Sequence, residues 1–193
     1  KEYAKGLQDY GMIATAKHFP GHGDTQTDSH SSLAMIPSDS SRLWSLELKP
    51  FATMAEAGVD VVMVAHVHAP DYQPEADDPA TLSPFWVTNV LKDRLDFEGA
   101  IITDGMGMGG ITKNYSDDYA IVKAVQAGCH IIIQNYDMVG SIDAIEKAVL
   151  DGEISEQQIN SSALKMLELK YKVGLNLNPY VGLDLMMRNI STK

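Results

Sequence analysis

The chain is organised around the stretch Lys17-His18-Phe19-Pro20-Gly21-His22-Gly23-Asp24-Thr25-Gln26-Thr27-Asp28-Ser29-His30. Three of the six histidines lie in it, together with two aspartates, a lysine and two glycines. It directly follows a short apolar run at residues 12–16, which predicts a buried strand. Titratable residues packed onto the end of a strand are typical of a reactive site.

The alternation of an apolar run and a polar segment recurs along the chain. Apolar runs at residues 59–65, 100–103 and 130–134 predict three further strands. Helices are predicted at residues 1–10, 44–57, from Ser83-Pro84 onward, at 116–127, 141–150 and 155–173. Glycines 58, 128, 152 and 174 provide their stop signals. Short strands that are apolar on both faces and separated by helices predict right-handed βαβ units and a parallel sheet.

Four β/α units are half of a (β/α)8 TIM-type barrel, and this half-barrel is the fold class that we predict. A doubly wound open sheet is the alternative, but the chain lacks the Gly-x-Gly-x-x-Gly dinucleotide fingerprint, since the glycines at 105–110 have the wrong spacing. The polar residues follow strands rather than precede them. Ligand sites of α/β folds lie at that C-terminal edge of the sheet.

Composition limits the classes of partner. The chain has 193 residues, enough for one domain with a substantial core. The formal net charge of −11 argues against nucleic acid or an anionic membrane as a partner. No stretch approaches the roughly 18 apolar residues of a membrane span. The first residues do not resemble a signal peptide, and bacterial cytoplasm, periplasm and secretion all remain open as compartments.

Two sets of acidic groups could carry chemistry. Asp28 and His30 are two residues apart, so in an extended segment their side chains point the same way. A carboxylate beside an imidazole makes a general acid/base that works near neutral pH, whereas the alternative is a solvated loop. Asp104 directly follows a hydrophobic strand and is a candidate nucleophile, metal ligand or helix cap.

Further candidates lie at strand ends. Lys17 and His18 could donate hydrogen bonds to substrate hydroxyls, or form a salt bridge and a packed histidine. His66 and His68 form a His-x-His pair that could bind zinc or serve as hydrogen-bonded structural residues. Met106 is expected to pack in a pocket or a lid rather than to take part in chemistry.

Several of these segments together resemble the family 3 glycoside hydrolases, and within them the β-N-acetylglucosaminidases. The resemblance covers roughly residues 1–175. It rests on the long motif at residues 17–25 with Asp-Ser-His three residues further on, and on these later segments: Val62-Met63-Val64-Ala65-His66-Val67, Pro79-Ala80-Thr81-Leu82-Ser83, Phe97-Glu98-Gly99-Ala100-Ile101-Ile102-Thr103-Asp104, Ala127-Gly128-Cys129 and Lys170-Tyr171-Lys172-Val173-Gly174-Leu175.

The resemblance implies a (β/α)8 barrel that removes β-linked N-acetylglucosamine, or a similar β-sugar, from non-reducing ends with retention of configuration. It implies Asp104 as the nucleophile, His30 as the general acid/base with Asp28 as its dyad partner, and Lys17 and His18 as sugar ligands. We add His66 and Met106 to the expected substrate-binding set. Peptidoglycan- or chitin-derived saccharides are the expected substrates, and no cofactor or metal is expected.

The resemblance also implies that residues 1–175 are the C-terminal half of the barrel and that residues 176–193 are a tail or truncated connection. The missing half of the barrel, or self-association, would then cover the exposed edges. Alternatives are a β-glucosidase or glycoside phosphorylase of the same family and a non-catalytic saccharide-binding half-barrel. A further alternative is a metal-dependent barrel hydrolase with these ligands: His22, His30, His66, His68 and Asp104.

Overall fold

The structure is a computed structural model that describes residues 1–23, 25, 32–37, 39–73, 78–134, 137–180, 182 and 187–188. Asp28 and His30 lie outside the described residues. The strands are β1 (Thr15–Phe19), β2 (Ala34–Met35), β3 (Val61–Val64), β4 (Val67–His68), β5 (Ala100–Gly105) and β6 (Ile131–Ile133). The α-helices are α1 (Glu2–Asp9), α2 (Ser40–Arg42), α3 (Lys49–Glu56), α4 (Gly109–Thr112), α5 (Asp117–Ala127), α6 (Met138–Leu150) and α7 (Glu156–Lys172). Two π-helical segments are π1 (Leu43–Glu47) and π2 (Phe85–Arg94), and a 3₁₀ turn spans Ala80–Leu82.

The main sheet is parallel and has the strand order β1-β3-β5-β6. The strands of this sheet are therefore neighbours in the order in which they occur in the chain, and helices connect them. The predicted α/β class and the predicted parallel sheet are confirmed. A second, two-stranded parallel sheet pairs β2 with β4, and the sequence did not indicate it because both strands have only two residues.

The first strand lies later than predicted. The apolar run predicts a strand at residues 12–16, whereas β1 is Thr15–Phe19 and Met12 is 55% exposed. The ladder starts where Ala14 contacts the backbone of β3, since the Val61 N–H donates to the Ala14 carbonyl at 3.1 Å. Lys17 and His18 are consequently inside the strand rather than beyond its end.

A bulge interrupts β1 at His18. Lys17 pairs with Met63 and Phe19 pairs with Val64, the next residue of β3, so His18 is an extra residue in β1. A bulge of this kind re-aims a side chain and is frequent next to active sites. It allows Lys17 to keep its register while His18 is turned toward the C-terminal edge of the sheet.

The two faces of the sheet differ in burial. Phe19 packs edge-on against Phe51 of α3 and Trp86 of π2, in a core that also holds Val62 and Ile101. The opposite face carries a row in register across the four strands, which we call the open face: Lys17, Met63, Ile102 and Ile131. Lys17 is exposed and the other three are half-buried.

Helix boundaries follow their sequence signals. Gly128, with φ of 110°, ends α5, and the Ser155 hydroxyl accepts a hydrogen bond of 3.1 Å from the Gln158 N–H at the start of α7. No helix among the described residues has the length and apolar character that a membrane crossing needs.

Lys172, at the end of α7, forms an ion pair with the buried Asp60 just before β3.

Candidate active site

Asp104 stands at the C-terminal edge of the sheet. It is the fifth residue of β5 and lies two residues after Ile102, so the alternation of a strand places it on the open face. Its Oδ1 accepts a hydrogen bond of 2.8 Å from the Gly105 N–H. Its side chain keeps 20% of its surface exposed, and its second carboxylate oxygen, Oδ2, faces His18.

His18 is the nearest titratable partner of Asp104 among the contacts of the described residues. The bulge in β1 brings its Nε2 to 3.7 Å from Asp104 Oδ2, and 30% of its side chain is exposed. Its ring also meets the His22 ring edge-on, with centroids 6.1 Å apart. Lys17 is exposed on the open face. The structure thus brings one carboxylate and one imidazole to the same accessible point, with a lysine on the adjoining face.

His66 is a buried, hydrogen-bonded residue, which is the structural alternative that the sequence left open. It is fully buried, with its Nε2 3.0 Å from the Gly105 carbonyl oxygen and its Nδ1 2.9 Å from Thr81 Oγ1. Met106 is also buried, with 3% of its surface exposed. Both side chains lie behind the surface that a ligand would reach. Their direct contact with a sugar stays a prediction, and in this structure both side chains are placed to support the edge of the sheet.

The protonation of His66 follows from its partners. Burial lowers the pKa of His66, and this outweighs the raising effects of the Gly105 carbonyl and the Asp104 carboxylate. A carbonyl oxygen only accepts, so Nε2 of the neutral ring carries the hydrogen and donates it to Gly105. Thr81 Oγ1 also lies 2.8 Å from the Ala65 carbonyl oxygen, so its single proton serves Nδ1 or that carbonyl at any moment.

The predicted acid/base pair, Asp28 and His30, lies outside the described residues. The segment that leads toward it is described through Gly23. Gly21 has a φ of 135° and packs against Glu47 of π1, where a Cβ added to the glycine would lie 2.9 Å from Glu47 Cβ. Thr25 Oγ1 lies 2.7 Å from His22 Nδ1 and 3.0 Å from the His22 carbonyl oxygen.

The predicted metal ligands do not assemble in the part of the chain that the structure describes. There, no three His, Cys, Asp or Glu side chains come together as a group that could hold a metal ion. His66 already uses both ring nitrogens, and His68 is 3% exposed. His30, another histidine of the predicted set, is outside the described residues.

Three residues that sequence reasoning missed support the edge of the sheet next to Asp104. Thr81 contacts His66, Gly105 provides both a donor and an acceptor, and the Ile133 carbonyl accepts from the Met106 N–H at 2.9 Å. Thr81 falls in one of the segments that carry the family resemblance, which was the available signal. Gly105 and Ile133 act through backbone atoms, so residue type carries little information about them.

The family model described as "Glycosyl hydrolase family 3 N terminal domain" matches residues 1–169. A curated β-hexosaminidase from Psychromonas ingrahamii is 31% identical over 178 residues, which are 92% of this chain and 51% of that protein. The chain therefore spans about half the length of that relative.

Solved structures agree with this match. A glycoside hydrolase family 3 β-N-acetylglucosaminidase from Paenibacillus sp. superposes with a TM-score of 0.88 and 40% identity, over 94% of this chain and 35% of that one. A β-glucoside phosphorylase, BglX, superposes with a TM-score of 0.89 over 96% of this chain and 35% of that one, at 22% identity, which is a likeness of fold alone.

Proposed function

This chain belongs to glycosyl hydrolase family 3, and on that basis we propose that it carries the catalytic edge of a retaining β-N-acetylhexosaminidase. The proposed substrate is a saccharide with a β-linked N-acetylglucosamine at its non-reducing end. The names of the relatives support this choice, since the matched curated protein is a β-hexosaminidase and the matched solved structure is a β-N-acetylglucosaminidase.

The observation that carries the proposal is the environment of Asp104. The carboxylate has one oxygen held by the Gly105 N–H at 2.8 Å and the other turned toward His18 at the open edge of the sheet. A nucleophile needs this combination of a fixed orientation and one accessible oxygen. A helix cap, the competing role for Asp104, would require it to hold an N-terminal N–H of α4, and its bond goes instead to the adjacent Gly105.

The reaction would proceed in two displacements. Asp104 attacks the anomeric carbon while His30 gives its proton to the leaving glycosidic oxygen, which forms a glycosyl–aspartate ester and releases the aglycone. His30, now neutral and oriented by Asp28, takes a proton from water, which attacks the same carbon and releases the sugar and Asp104. Two inversions give net retention.

Lys17 and His18 are proposed to hold the sugar in place for both steps. Lys17 is exposed on the open face, and its ammonium has three donors for hydroxyl oxygens. His18 reaches the same point as Asp104 because the bulge in β1 turns it there. Hydrogen bonds to substrate hydroxyls that strengthen in the transition state supply several kcal/mol in glycosidases.

We further propose that the four β/α units are half of a (β/α)8 barrel. In the chain the strands are ordered β1-β3-β5-β6 without a switch point, and the open face would line the barrel interior. The other half of the barrel would cover the open face, where Met63, Ile102 and Ile131 are only half-buried, and would complete the sugar pocket.

The stereochemical course of hydrolysis tests the proposed reaction. The complete protein is incubated with a β-N-acetylglucosaminide in a proton NMR tube, and the anomer released first is recorded. Retention predicts that the β-anomer appears first and then mutarotates. An α-anomer would refute the covalent mechanism. A sugar phosphate formed only in phosphate buffer would identify a phosphorylase, and activity lost in EDTA would favour the metal-dependent alternative.

A further inference from the structure

We propose that His66 is a positioning residue for the Asp104 carboxylate. Its hydrogen bond to the Gly105 carbonyl fixes the peptide group between Gly105 and Met106, and this in turn fixes the direction in which the Asp104 side chain points. This inference rests on the proposed function of Asp104. His66 does not touch the substrate in this account, since it is fully buried.

The peptide between Gly105 and Met106 is held at both ends. His66 Nε2 donates to its carbonyl oxygen at 3.0 Å, and its N–H donates to the Ile133 carbonyl at 2.9 Å. A peptide group is planar, so fixing its oxygen and its nitrogen fixes its orientation. Without the first bond, the plane could turn about the second.

That plane determines where Asp104 can point. The preceding peptide supplies the Gly105 N–H, which donates to Asp104 Oδ1 at 2.8 Å. Only the φ and ψ of Gly105 separate the two peptides, and glycine has the widest range of these angles. The hydrogen bond from His66 to the Gly105 carbonyl therefore restricts the φ and ψ of Gly105, which has no side chain to restrict them.

His66 is itself fixed by the end of β3. Its Nδ1 meets Thr81 Oγ1, and that oxygen lies 2.8 Å from the Ala65 carbonyl and 3.2 Å from the Val64 carbonyl. The groups that face the ring electrostatically are the Gly105 carbonyl, Asp104 and His18. The ring thus joins the end of β3 to the end of β5, while Ile133 adds the end of β6.

A packing role and a positioning role predict different results. If His66 only filled space, any residue of similar volume would serve, and replacement would affect stability alone. If His66 positions Asp104, the donor at the Nε2 site matters. A glutamine side chain in its place would bring an amide N–H to that site, because its terminal nitrogen is the same number of bonds from Cα as the histidine Nε2. An asparagine side chain is one bond shorter and would reach only the Nδ1 site.

The test compares His66→Phe, His66→Asn and His66→Gln in the complete protein, with kcat and KM measured separately and folding followed by circular dichroism. We expect the Phe and Asn variants to lower kcat by about 10- to 100-fold with KM changed less than about threefold, since a displaced reacting group costs that much. The Gln variant is expected to recover kcat to within about fivefold of the parent. His68→Gln, at the neighbouring buried histidine, is the matched control and should leave kcat within about twofold.

Three outcomes would overturn the inference: a Gln variant no better than the Asn variant, a change in KM with kcat unchanged, or a loss of kcat that the unfolded fraction explains. If the His66 variants do not fold, Thr81→Val against Thr81→Ser makes the same comparison, and equal kcat values would refute it. Asp104→Asn, assayed in parallel, distinguishes a failure of the proposed function from a failure of this inference. Turnover retained by Asp104→Asn refutes the proposed function, whereas turnover lost there but kept by all His66 variants refutes this inference only.

Discussion

Gly21→Ala is a sharp test of how the segment after β1 is held. Gly21 has a φ of 135°, a conformation that side chains disfavour by about 1–3 kcal/mol. An added Cβ would also lie 2.9 Å from Glu47 Cβ and 3.2 Å from Glu47 Cγ. Glu47 cannot easily retreat, because its side chain is 7% exposed and Arg42 Nε holds it at 3.2 Å. Overpacking of this kind costs about 1–3 kcal/mol.

The two effects together predict a loss of about 2–6 kcal/mol in the free energy of unfolding. For a chain of this size that lowers Tm by about 4–24 °C. Urea denaturation followed by circular dichroism measures the free energy, and a thermal scan measures Tm. Activity below the transition should also fall, because the segment that begins at Gly21 leads to Asp28 and His30.

Two other glycines provide matched controls. Gly11 has a φ of 76° with nothing within 4 Å of an added Cβ, so Gly11→Ala reports the conformational effect alone. Gly23→Ala meets no atom within 4 Å and has no positive φ, so it should change stability by less than about 0.5 kcal/mol. If Gly21→Ala costs no more than Gly11→Ala, the contact with Glu47 does not constrain this segment and the reasoning is refuted.

Three further predictions concern chemistry and pH. Asp104→Asn keeps the oxygen that the Gly105 N–H binds, so we expect kcat to fall by about 10³-fold or more while calorimetry shows sugar binding within about threefold; an active variant would contradict the nucleophile assignment. His30→Ala should slow substrates with poor leaving groups far more than activated aryl glycosides in a leaving-group series, and equal losses would count against His30 as the acid. Burial lowers the pKa of His130 to about 4 from 6.5, and its Nδ1 accepts from the Ile101 N–H at 2.9 Å. Since the unfolded chain takes up this proton first, stability that is present above pH 6.5 should be lost as pH falls toward 4, by about 1–2 kcal/mol after allowance for solvent screening. Urea titrations from pH 7 to pH 4 measure this, and the same slope in His130→Asn would refute it.

Much of the fold was accessible to sequence reasoning because its signals are local. Helix ends at Gly128 and Ser155 depend on residues within one turn, and the apolar runs correspond to the central strands. The position of β1 was not accessible in the same way. Its bounds follow from pairing with β3, and that pairing includes Lys17 and Phe19, which lie just after the strand that the apolar run predicts.

The candidate site was likewise predictable only where its signals are local in the sequence. Asp104 could be identified because it directly follows an apolar strand. The burial of His66 and Met106 depends on what packs over them, including Thr81 and the end of β6, which are distant in sequence. The approach of His18 to Asp104 depends on the bulge in β1, and the residue types there do not predict a bulge. The assignments of Asp28 and His30 stay predictions from the family resemblance.

The most direct measurement of the central claim is the site of covalent labelling. The complete protein is treated with the 5-fluoro analogue of N-acetylglucosaminyl fluoride, digested with trypsin and analysed by mass spectrometry. Cleavage after Arg94 and Lys113 gives the peptide 95–113, whose carboxylates are Asp96, Glu98 and Asp104. The account predicts that fragmentation places the sugar on Asp104 and that Asp104→Asn is not labelled. A label on any other residue would contradict it.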